Sequence, residues 1–331
     1  GGRTVKRKIQ KMTNFRESLH LRASKLYKTI VFPEGSEKRV FKAASKLNNQ
    51  GIARVILLGG QYELRLMADD LGISLKNIEI ITPEKSDLFK SFKETTERIL
   101  SNKTDDIDNA LKSPECFGAY MVHVGKADGC VCGSVTSTPN TIRAAIRYIG
   151  LDDSTDLVSS TFLLLSPKGD KLFTFADCGV VPDPNEEQLV TIALDSSRTH
   201  KKLTNEKPVV AFLSFSTKGS AAHKSLDKII SASSRFAKLY PDIPSDGEIQ
   251  FDSAVIEEIS LQKAPNSSVK GDANVLIFPD LNAGNIGYKI AQRLGNYSAW
   301  GPLLQGLRKP MMDLSRGCTL DDIVDVTSIC S

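Results

Sequence analysis

Histidine is scarce in this chain. His20, His123, His200 and His223 are the only four in 331 residues, and no two stand as His-x-x-x-His. Of the six cysteines (Cys116, Cys130, Cys132, Cys178, Cys318 and Cys330), only Cys130 and Cys132 are close in sequence. A gap of two on an expected strand puts both on one face and is not a zinc-finger spacing, so no metal site is expected. A charge excess is missing too: 43 Lys and Arg face 39 Asp and Glu, net +4, where an obligate nucleic-acid binder is strongly basic. No run approaches the roughly 18 apolar residues of a membrane span; the stretch 157–165 is broken by Ser159, Ser160 and Thr161. With no secretory signal ahead of them, the cysteines are expected to be thiols in a reducing cytoplasm. Neither G-x-G-x-x-G after a strand, nor G-x-x-x-x-G-K-[ST], nor G-x-S-x-G occurs, and Gly284-Asn-Ile-Gly287-Tyr-Lys289 has the wrong spacing for a phosphate loop.

What is present is a soluble globular composition, 40% apolar and 25% charged, at a length that suggests two domains. Gly1-Gly2 reads as a cloning remnant. The basic stretch 4–28 reads either as a targeting segment or as a first amphipathic helix with Phe15, Leu19, Arg22 and Leu26 near helical spacing; the helix is favoured because it runs straight into a strand. Strand-like segments at 28–32, 53–58, 78–81 and 129–132 alternate with helical patterns at 37–49, 61–71, 88–100 and 116–125. That alternation predicts a mostly parallel sheet covered on both faces. The middle differs: 156–165 and 171–176 read as a hairpin around Pro167-Lys-Gly169, followed by helix 185–199, strand 208–212, helices 225–240 and 253–261, and strand 273–278. Two α/β/α domains are expected, residues 1–153 plus 304–331 and residues 154–303, the last segment being too short to stand alone.

Four local constellations stand out. In Thr136-Ser-Thr-Pro-Asn-Thr-Ile-Arg143, Thr138 suits an N-cap with Pro139 at the first helical position, Ile142, Ala145, Ile146 and Ile149 form an inward stripe, and Arg143 and Arg147 share another face. This is an anion site or simply a capped helix with solvated arginines. The stretch Asn274-Val-Leu-Ile-Phe-Pro-Asp-Leu-Asn-Ala-Gly-Asn-Ile-Gly287 leads from a buried strand into a helix with Ala283, Ile286, Ile290 and Leu294 inward. Asn282, Asn285 and Lys289 there either reach a phosphate or flank an ordinary tight turn. In Lys309-Pro-Met-Met-Asp-Leu-Ser-Arg-Gly-Cys-Thr-Leu-Asp-Asp322, Thr319 and Asp322 have the form of a capping box, preceded by the polar turn Ser315-Arg316-Gly317. Phe32-Pro-Glu-Gly35 ends a strand in an acid and a glycine, which by itself is an ordinary strand-end turn. Together these suggest a phosphorylated substrate held between two domains.

The stretches Ile30-Val-Phe-Pro-Glu-Gly35, Phe175-Ala-Asp-Cys178 with Pro182-Asp-Pro184, Leu213-Ser-Phe-Ser-Thr-Lys-Gly-Ser220, Asp246-Gly-Glu248, 274–287 and 309–318 resemble the phosphate acetyltransferase (phosphotransacetylase) family, and the resemblance runs from Phe15 to Ser331. The wider family includes phosphate butyryltransferases and an acyltransferase-like domain of some malic enzymes; Asp313-Leu-Ser-Arg-Gly317 fits the acetyl branch. The resemblance implies reversible acetyl transfer between coenzyme A and phosphate without metal or bound cofactor. It also implies an isocitrate/isopropylmalate dehydrogenase-like fold with the active site in an interdomain cleft, and a cytoplasmic homodimer with no nucleic-acid or membrane partner. By the same resemblance Asp322 takes the thiol proton, Arg316 binds the phosphate end of acetyl phosphate, and Ser315 stabilises the tetrahedral transition state. Arg143, with Ser137 and Thr138 beside it, binds phosphate or coenzyme. Arg98 matches a third, coenzyme-binding arginine, in a segment that is gapped against the family. Asn285 joins the phosphate-binding set from its own turn. The chain departs from the family at Met312, Gly179 and Val181 and across 86–112. Butyryl transfer, a non-catalytic acetyl-CoA-sensing module and a dehydrogenase are the competing readings; the last would need a metal-binding aspartate cluster that the sequence does not show. For Asp322, burial would raise the pKa and a helix N-terminus would lower it, and the sequence leaves both open.

Overall fold

The computed structural model describes residues 15–101 and 104–331. The expected remnant Gly1-Gly2 and the basic stretch 4–14 lie outside the described residues. The chain folds as two compact units, one of residues 15–156 and 307–331, the other of residues 157–306.

The first unit begins with helix α1 (15–26). It continues through β1 (Thr29–Phe32), α2 (Lys38–Asn49), β2 (Arg54–Leu58), α3 (Gln61–Leu71), β3 (Ile78–Ile81), α4 (Phe89–Ile99), α5 (Thr104–Lys112), α6 (Pro114–His123), β4 (Gly129–Cys132) and α7 (Thr138–Ala144). These strands are short apolar runs, the pattern of strands buried on both faces. Leu19 and Ala23 turn inward from α1, whereas Leu26 is exposed. The core gathers Val31, Ile56, Phe92, Phe117, Tyr120 and Tyr148, with Phe92 meeting Phe117 edge to face at 5.3 Å.

The second unit runs through β5 (Ser159–Leu165), β6 (Leu172–Ala176), α8 (Glu186–Thr204), β7 (Val210–Leu213), α9 (Asp227–Leu239), β8 (Ser245–Ile249), α10 (Phe251–Val255), α11 (Glu257–Lys263), β9 (Val275–Ile277), α12 (Leu281–Arg293) and β10 (Ser298–Gln305). Its six-stranded sheet has the order β10-β5-β6-β9-β7-β8. The β10–β5 and β5–β6 pairs are antiparallel, as the expected hairpin requires, and the rest are parallel. One face packs Phe162, Phe175, Leu276 and Tyr288; another cluster holds Leu189, Ile192, Phe212 and Phe236. Helix α8 opens with a full capping box, Asn185 and Gln188 exchanging side-chain and backbone bonds.

The chain then returns to the first unit as β11 (Met311–Asp313) and α13 (Leu320–Cys330). The five-stranded sheet there has the order β11-β4-β1-β2-β3 and is parallel throughout.

Three local expectations are corrected. The single helix at 253–261 is two short helices, α10 and α11, because Ile256 between them is extended at φ −126° and ψ 115°. The inward stripe after α7 fails at Ile146, which is 45% exposed: residues Ala145–Ile149 widen into a π-helical turn, which shifts the facing residues. In α12, Ile286, Ile290 and Leu294 point outward, and Gly284 and Tyr288 are buried instead. A Cβ on Gly284 would lie 2.2 Å from the Asp177 carbonyl oxygen, and Tyr288 stacks on Phe162 at 3.9 Å. That close backbone approach sets the rotation of the helix against its apolar residues.

Candidate active site

Strands β11, β4 and β1 are adjacent and parallel, so the turns leaving their carboxyl ends lie side by side, the usual place for ligands in an open α/β sheet. These turns are 33–37, 133–137 and 314–319. The first carries Glu34, whose role the sequence understated as a strand-end turn. Its Oε1 accepts from the Val135 and Thr136 amides at 2.9 and 2.7 Å, and Oε2 accepts from the Ser134 amide at 2.8 Å and from the Ser134 hydroxyl. One carboxylate therefore orders the whole second turn. The Gly35 that follows it is required by space: a Cβ there would sit 2.4 Å from the Leu58 carbonyl oxygen.

Ser137, not Thr138, is the N-cap of α7, and its side chain makes no cap bond. Thr138 is the first helical residue because its hydroxyl is engaged elsewhere, donating to Asp313 Oδ2 at 2.5 Å. Asp313 is fully buried at the end of β11, and its Oδ1 has no hydrogen-bond partner among the described residues. Burial, reinforced by the nearby Glu34 charge and opposed by the Thr138 and Thr141 hydroxyls, lifts its pKa to about 6. Gly133 must be glycine: its φ is +102° and a Cβ would lie 2.2 Å from Asp313 Oδ1.

Ser315 and Arg316 sit exposed on the third turn. That turn is closed by the Cys318 amide on the Ser315 carbonyl at 2.9 Å and the Gly317 amide on Ser315 Oγ at 3.3 Å. The Arg316 guanidinium meets no polar partner among the described residues. Asp322 completes the capping box of α13: its Oδ2 accepts from the Thr319 amide and hydroxyl, each at 2.8 Å, and its own amide donates to Thr319 Oγ1 at 3.1 Å. Its Oδ1 is free among the described residues. The cap thus fixes the carboxylate while leaving one oxygen to receive a proton.

Arg143 lies apart from that turn. Its Nη1 donates to Asn140 Oδ1 at 3.1 Å, and it lines a recess of about 680 Å³ together with Lys112, Glu115, Cys116 and Arg147. Arg98, exposed in the last turn of α4, is not brought into that recess. Asn285 belongs to the second unit and is engaged at both ends: Nδ2 donates to the Cys178 carbonyl at 3.0 Å and Oδ1 accepts from Lys289 at 2.8 Å. Asp280 is the N-cap of α12, through its bond from the Ala283 amide. A larger recess of about 740 Å³, lined by Tyr62, Glu79, Thr82, Lys85 and Lys126, holds none of the predicted site residues. All six cysteines are buried and none forms a disulfide among the described residues. Among the described residues no cluster of three or more His, Cys, Asp or Glu is placed to hold a metal ion.

Comparison with known proteins matches these features to one family. A phosphate acetyl/butaryl transferase family model matches residues 14–331. The chain is 44% identical over 317 residues to the phosphate acetyltransferase of Thermoanaerobacterium thermosaccharolyticum, covering 94% of this chain and 96% of that one. The crystal structure of a phosphotransacetylase from Streptococcus pyogenes superposes with a TM-score of 0.89 at 39% identity, covering 96% of this chain and 97% of that one. EutD phosphotransacetylase from Staphylococcus aureus gives 0.86 at 36%, covering 96% and 98%. A family-model match over residues 14–331, with relatives matched over nearly the whole of each partner, places the chain in the phosphate acetyl/butaryl transferase family.

Proposed function

We propose that the chain transfers an acetyl group reversibly between acetyl phosphate and coenzyme A. The coenzyme thiolate attacks the acetyl carbon, the S–C bond forms, the C–O bond to phosphate breaks, and the phosphate leaves. The observation that carries this reading is the pairing of the Ser315-Arg316 turn with Asp322, a carboxylate fixed through one oxygen and open at the other. Asp322 receives the thiol proton, Arg316 holds the phosphate oxygens, and Ser315 donates to the carbonyl oxygen as it gains charge. Ser137, Thr138 and Arg143 bind phosphate or coenzyme; Arg98 and Asn285 belong to the same proposed set.

Ionising the thiol accounts for only a small part of the rate. At a pKa near 8.5 about 3% is already thiolate at pH 7, so full ionisation gives roughly 30-fold. Holding thiolate and carbonyl together, with effective molarities up to about 10⁵ M or more, is the larger contribution.

The substrates are small molecules, acetyl phosphate, coenzyme A and phosphate, and the chain works in the cytoplasm as a homodimer. No described helix is long and apolar enough to cross a membrane. The outward face of α12 supports the dimer: Ile286, Ile290 and Leu294 are 57%, 54% and 81% exposed. The test is thioester formation from acetyl phosphate and coenzyme A, with butyryl phosphate in parallel and no metal added. Acetyl turnover well above butyryl turnover supports the reading. The reverse order makes the chain a butyryltransferase, and binding of coenzyme A without turnover makes it a sensing module.

A further inference from the structure

Arg39 lies in the first turn of α2, beyond every motif that carries the proposed chemistry, yet both its Nη groups reach the turns of the site. Its Nη1 donates to the carbonyl oxygens of Arg316 and Cys318, both at 2.8 Å. Its Nη2 donates to the Ser134 carbonyl at 3.3 Å. Its Nε donates to Glu37 Oε1 at 2.7 Å, and Glu37 Oε2 in turn caps α2 through the Val40 amide at 2.9 Å. The fork is thus aimed by an acid that is itself fixed to a helix end, and α2 packs against α13. On one side the fork grips the turn that presents Ser315 and Arg316. On the other it grips Ser134, whose amide and hydroxyl are held by Glu34.

We propose that Arg39 is a positioning residue: it seats the 315–318 turn against the 134–137 turn, fixing where the Arg316 guanidinium and the Ser315 hydroxyl sit relative to the second turn. The planar guanidinium suits this task, because donors on three nitrogens reach acceptors in three segments at once. A lysine has a single ammonium and cannot span them. All three nitrogens of the Arg39 guanidinium are engaged by protein acceptors, which fits a side chain that acts through the turns.

The chemical half of this proposal rests on the acetyl-transfer reading, and two measurements keep them separable. The first is amide hydrogen exchange of wild type, R39A and R39K, which reads the seating without any turnover. Residues 314–319 and 134–136 are expected to exchange at least about tenfold faster in R39A, with the body of α13 unchanged. The second is steady-state turnover of acetyl phosphate and coenzyme A, with and without millimolar guanidinium. In R39A, kcat is expected to fall roughly 100-fold while the coenzyme A KM stays within about twofold, and guanidinium restores activity about tenfold. R39K is expected to lose about tenfold in kcat and to ignore guanidinium; it carries the test if R39A does not fold. Unchanged exchange at 314–319, or R39A turnover within about threefold of wild type, overturns the proposal. A loss that guanidinium does not reverse in a folded R39A also overturns it. Wild type without acetyl transfer refutes the functional reading alone, and exchange still decides the role of Arg39.

Discussion

The Thr138 hydroxyl donates to Asp313 Oδ2 across 2.5 Å, tying the first residue of α7 to the end of β11. The two residues are 175 positions apart in sequence. Only the parallel pairing of β11 with β4 brings the last strand of the chain beside the turn that holds Thr138.

Asp313 makes the stability of the chain fall as pH rises. Its native pKa is about 6 against an ordinary 3.8, raised by burial. Below that range both states are protonated and the group is neutral to stability. Between about pH 4 and 6 the unfolded chain ionises first, so the native state loses ground, by about 3 kcal/mol once above the window. Asp313→Asn removes this slope while keeping an acceptor for Thr138. Thermal melts at pH 4 and 7 should show the variant gaining on wild type as pH rises; parallel curves would show that the carboxyl is not perturbed.

His200 works in the opposite sense. It is fully buried, with Nδ1 2.9 Å from Thr174 Oγ1 and Nε2 without a hydrogen bond. Burial pulls its pKa from 6.5 to about 4. The Glu206 carboxylate, 3.6 Å away and half exposed, does not offset that loss of hydration. The unfolded chain therefore takes up a proton that the native state refuses, and stability is lost as pH falls from about 6.5 to 4. The His200 imidazole resonances should stay flat between about pH 8 and 5 in the folded protein; a midpoint near 6.5 contradicts this.

Asp322 and Thr319 share a capping box but separate on mutation. Asp322→Asn keeps an acceptor for Thr319 and should melt close to wild type while kcat falls about 10² to 10⁴-fold. Thr319→Ala should cost about 1 kcal/mol of stability with a smaller kinetic effect, since the carboxylate survives. Wild-type turnover in Asp322→Asn removes Asp322 as the base.

The exposed face of α12 should bury itself in a second copy of the chain. Light scattering on the wild type should give twice the 36.1 kDa of one chain. Ile290→Glu places a charge in the middle of the face and should shift the mass to one chain at micromolar concentration. A wild-type monomer refutes the dimer.

The sequence by itself determined the alternation of strands and helices, the hairpin around Gly169, the capping box of Thr319 and Asp322, and the family, because each is written in neighbouring residues or in an unbroken motif. It misjudged the rotation of α12, where apolar spacing placed Ile286, Ile290 and Leu294 inward. The decisive contact, Gly284 against the Asp177 carbonyl, joins residues over 100 positions apart and leaves no trace in the period of the helix. The same holds for the site. Ser315, Arg316 and Asp322, the proposed catalytic set, stand within one stretch of sequence. The residues that order them do not: Glu34 gathers the donors of residues 134–136, Arg39 reaches Arg316, Cys318 and Ser134, and Asp313 receives Thr138. Tertiary structure decided these, because a parallel sheet sets the ends of strands β1, β4 and β11 side by side whatever their separation along the chain, and a buried or crowded polar group must then find its partner across that gap.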